Sequence, residues 1–64
     1  MSIKNEFGFI DKYIEGKKYI NCGNWNAAMA RFEDCKSFLE RTQPSNTDLI
    51  SRLDKLIENC KNNL

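Results

Sequence analysis

Two small residues set among aromatic rings constrain this chain most. Gly16 is followed three residues later by Tyr19, and Ala28 four residues later by Phe32, with Gly23 and Trp25 between the pairs. A helix carrying Gly or Ala beside rings lets a second helix approach closely while the rings fill the space around the contact. Gly23-Asn24 sits midway, and both residue types tolerate the left-handed conformation that ends a helix. The expected unit is a tight antiparallel helical hairpin with Gly16, Tyr19, Trp25, Ala28 and Phe32 at its core.

Hydrophobic periodicity extends this hairpin in both directions. Ile3, Phe7, Ile10, Tyr13 or Ile14, then Tyr19 and Ile20 recur at three- and four-residue steps and predict a helix from about Ser2 to Cys22, with Ser2 as its cap. Asn24 can cap a second helix, about Trp25 to Thr42, whose apolar stripe is Trp25, Ala28, Met29, Phe32, Cys35 and Leu39. Phe9 and Phe38 lie off the strongest stripes; exposed together, they would form an apolar patch that marks a binding surface. Pro44 disfavours helix at Gln43, and Ser45 to Thr47 offer caps for a third helix, about Thr47 to Asn62. That helix sets Leu49, Ile50, Leu53, Leu56, Ile57, Cys60 and Leu64 in register, with Asp48 and Arg52 as an i,i+4 pair. The Asn-rich end, Asn59, Asn62 and Asn63, is expected to fray. The sum is an all-α, three-helix antiparallel bundle formed by residues 1–64 as one domain.

Composition removes several kinds of function. Sixty-four residues approach the size at which one hydrophobic core just suffices, so a partner or self-association is an expected supplement. Ten basic and nine acidic residues are interspersed to a net +1, which supplies no footprint for nucleic acid or an anionic membrane. The early acidic residue and the lack of a long apolar run predict neither an export signal nor a membrane span. Cys22, Cys35 and Cys60 lack Cys-x-x-Cys spacing and the chain has no histidine, so the expectation is no metal, no cofactor and no catalysis. An odd cysteine count, with two on helical core positions, fits a reducing cytoplasm. Lys17-Lys18 and Glu33-Asp34 read as solvated helix faces.

The spacing Gly16-x2-Tyr19 then Ala28-x3-Phe32, with Trp25 after the turn glycine and Pro44 after the second helix, resembles the tetratricopeptide repeat. It covers Gly16 to Pro44. Lys12 and Glu15 stand where the repeat carries Trp and Leu, and Pro44 falls about one turn late, so the resemblance is to a hairpin geometry. With its third helix the layout is also similar to the microtubule-interacting and trafficking domain, a three-helix bundle that binds helical peptides in a groove.

The tetratricopeptide resemblance implies that the first helix lines the ligand surface, and its alignment gives Ile10, Tyr13, Lys17, Ile20 and Asn21 as partner-binding residues. They lack the Lys/Asn set that clamps a peptide carboxylate, so an amphipathic helix laid into a groove is the expected ligand. The expected role is a non-enzymatic protein-interaction module, an adaptor or small chaperone-like subunit, as a homo- or hetero-oligomer. A trafficking-type peptide groove and a small nucleic-acid-binding or regulatory dimer are the alternatives, the latter requiring a clustered basic face.

Overall fold

A computed structural model describes residues 3–64. Three helices follow in order: α1 (Glu6–Asn21), α2 (Trp25–Thr42) and α3 (Thr47–Asn62). The second and third match the periodicity. The first begins later than the apolar series suggests, because Asn5 takes extended backbone and its side chain accepts from Gly8 N at 2.9 Å. The expected cap at Ser2 lies outside the described residues. Ile3, before the helix, folds back into the core, where its carbonyl accepts from Arg41 Nη2 at 3.1 Å.

The turn between α1 and α2 is set by Gly23, which has φ 74°. Asn24 N donates to Tyr19 O at 2.9 Å and Gly23 N to Ile20 O at 3.0 Å, the paired bonds of a Schellman motif. Asn24 then caps α2 by accepting from Ala27 N at 3.3 Å. One dipeptide thus closes one helix and opens the next. At the second loop Gln43 N donates to Leu39 O at 2.7 Å, and Asn46 occupies the cap position without a side-chain cap bond.

The core is Ile3, Ala28, Phe32, Cys35, Phe38, Leu39, Leu53, Ile57 and Cys60, with Tyr13, Tyr19, Trp25 and others packed around it. Five of these nine belong to α2, the central helix: α1 and α3 both pack on it and barely touch each other. Gly16 is the buried residue of α1, and its missing side chain admits the Phe32 ring. Across the hairpin Arg31 Nε meets Glu15 Oε1 at 3.2 Å, and its guanidinium lies 5.5 Å from the Tyr19 ring centre. Between α2 and α3, Lys36 Nζ reaches Asp54 Oδ1 at 2.6 Å.

The expected face of α1 needs correction. Phe7, Ile10 and Ile14 are 79%, 50% and 47% exposed, whereas Phe9, Tyr13, Gly16 and Ile20 face α2. The close approach at Gly16 fixes the rotation of the helix, and Phe7, Ile10 and Ile14 are turned outward as a result. Phe9 and Phe38 form no exposed patch; Phe38 is buried and their ring centres are 5.7 Å apart. Asp48 and Arg52 form no ion pair, and Leu64 lies past the end of α3 and is exposed. α3 runs to Asn62 as the periodicity predicts, and Asn63 Nδ2 donates back to Asn59 O at 2.8 Å.

Candidate interaction face

Because α1 and α3 are each seated on α2 with little contact between them, a groove of about 280 Å3 opens along their facing edges. Tyr13 and Leu56 form its apolar floor, and Lys17, Arg52 and Lys55 its rim. Tyr13 is held from beneath by an edge-on contact with Phe32, ring centres 5.9 Å apart, which ties the floor to the core. From above, Lys17 Nζ lies 5.7 Å from the Tyr13 ring centre. Among the described residues none of the three cations has a carboxylate within 4.0 Å.

The five residues aligned with the repeat's ligand surface divide. Tyr13 and Lys17 meet at the groove, Ile10 lies on the exposed outer side of α1, Ile20 packs against the core, and Asn21 is the exposed last residue of α1. Arg52, Lys55 and Leu56 escaped sequence reasoning. Leu56 was visible within the α3 stripe, with Arg52 and Lys55 beside it, but which edge of α3 would face α1 was not.

Two other concavities differ in character. A larger cleft of about 400 Å3 on the opposite edge of α2 and α3 is lined by Glu33, Lys36, Glu40, Asp54 and Glu58, and the Lys36–Asp54 bridge links its walls. The hydrogen bond that Lys36 donates to the Asp54 carboxylate holds the Lys36 amine above its usual range. A cleft of about 230 Å3 by Tyr19 contains Cys22, which is exposed.

The remaining thiols are buried. Burial, reinforced by Asp34 and opposed by Lys12, pushes Cys35 up to about 11, and its Sγ donates to Phe9 O at 3.7 Å. Burial also raises Cys60. Both are therefore thiols, not nucleophilic thiolates, at neutral pH. Among the described residues no helix is long and apolar enough to cross a membrane. Compared with known proteins, the chain matches no protein-family model, no curated protein and no solved structure.

Proposed function

We propose that the chain is a non-enzymatic protein-interaction module, an adaptor or small chaperone-like subunit, that receives a helical segment of a partner protein between α1 and α3. The observation that carries this is the Tyr13–Leu56 floor, apolar and open between two helices that do not close on one another. A helix laid there buries apolar side chains at one-turn intervals and meets Lys17, Arg52 and Lys55 with its own carboxylates. The tetratricopeptide likeness of Gly16, Tyr19, Ala28 and Phe32 supports the use of α1 as a ligand surface. The trafficking-domain likeness supports a groove between helices. Three free thiols fit a reducing cytoplasm.

The clustered cations also favour a nucleic-acid reading, but three phosphate contacts give a weak, strongly salt-dependent attachment and leave the apolar floor unused. Selection from a random peptide display library tests the choice, with Leu56→Glu as the counter-bait. Enrichment of sequences with apolar residues at three- and four-residue steps, lost on Leu56→Glu, is expected. Enrichment indifferent to that substitution, or no enrichment beside tight binding of an oligonucleotide, would overturn the reading.

A further inference from the structure

The outer stripe of α1 is unusual for a chain this small. Among the described residues, three of the four exposed large hydrophobic side chains, Phe7, Ile10 and Ile14, sit on this one helix at steps of three and four. Charges flank the stripe in a polar order: Glu6 and Lys17 on one side, Asp11 and Lys18 on the other, with the acid toward the N-terminus on both. All four are exposed, and among the described residues none has an oppositely charged partner within 4.0 Å. That order suits the dipole of α1 itself. The dipole does not account for the apolar residues between.

We propose that this stripe pairs with the same stripe of a second copy of the chain, antiparallel, about a two-fold axis. Such an interface is isologous, so the surface must be complementary to itself. In antiparallel helix pairs residues on the same flank meet. With Ile10 opposite the second copy's Ile14, Glu6 falls within one residue of the second copy's Lys17, and the symmetry forms that pair twice. A parallel pairing would set acid against acid and base against base. A 16-residue helix is about 24 Å long, so one helix pair buries less than the roughly 800 Å2 per side of a standard interface. The dimer is accordingly weak, dissociating between about 10 µM and 1 mM. The apolar stripe lies off the groove, which opens on the α3 side of α1, and Lys17, on the edge between them, is the residue the two readings share.

Sedimentation equilibrium of the full chain from about 5 µM to 1 mM tests this, with far-UV circular dichroism to confirm that each variant is folded. A monomer–dimer equilibrium is expected, weakened at least about tenfold by Ile14→Glu and also by Phe7→Gln, whose parent side chain is too exposed to affect folding. Glu6→Lys or Lys17→Glu alone weakens it about fivefold, and the double exchange restores it. A monomer at 1 mM, a dimer indifferent to both apolar substitutions, or a double exchange no better than the singles would overturn the proposal.

Discussion

Gly16 and Phe32 share a single space: a β-carbon on Gly16 would stand 2.6 Å from Cε1 of the Phe32 ring. The ring has no exposed surface. Alanine gains roughly 0.5–1 kcal/mol of helix propensity over glycine, while overpacking costs roughly 1–3 kcal/mol. Gly16→Ala is therefore expected to lower urea-unfolding stability by about 1 kcal/mol. In a Phe32→Leu background, where the ring edge is gone, the same change should become neutral or stabilising. Additive effects of the two substitutions would rule out the contact.

Gly23 makes the opposite demand, on backbone rather than space. Nothing lies within 4 Å of a β-carbon there, but φ 74° disfavours any L side chain. Gly23→Ala is expected to cost roughly 1–2 kcal/mol, and Gly23→Asn distinctly less, by thermal unfolding. Equal melting temperatures for the two variants would mean that the turn relaxes out of the left-handed region.

The three helices and their loops were legible because the signals are local. Gly23-Asn24 and Pro44 mark the turns by their own backbone chemistry, and α3 carries one unambiguous stripe. The face of α1 was not legible. Its apolar residues outnumber those that one neighbouring helix can cover, and the choice between Ile10/Ile14 and Tyr13/Gly16 depends on a tertiary fit against Phe32. The groove was half visible for the same reason: Tyr13 and Lys17 follow from the α1 alignment, whereas Arg52, Lys55 and Leu56 depend on how α3 leans on α2.

The cap of α1 offers a third test. Asn5→Ala removes the acceptor of Gly8 N and should cost about 1 kcal/mol. Asn5→Asp should retain most of that stability, since a carboxylate accepts the same bond and suits the helix N-terminus. Equal losses for Ala and Asp would indicate that α1 starts elsewhere.

The thiols make the stability depend on alkali. Folded Cys35 keeps its proton to about pH 11, whereas its ordinary value is 9.0, so the unfolded chain ionises first. The contribution is fully present below pH 9.0 and declines as pH rises toward about 11. Cys35→Ala should flatten this decline in denaturant titrations. Near pH 8 a disulfide reagent should modify Cys22 promptly and reach Cys35 and Cys60 only on unfolding; simultaneous modification of all three would contradict their burial.

That α2 alone bridges the molecule has a mechanical corollary. With almost nothing joining its two neighbours directly, α1 and α3 are each held in place by α2 rather than by one another. Amide exchange should report this as separate openings of the first and third helices, each slower than chain-end fraying and faster than exchange from the middle of α2. The central helix is thus the single part whose loss would release both of the others.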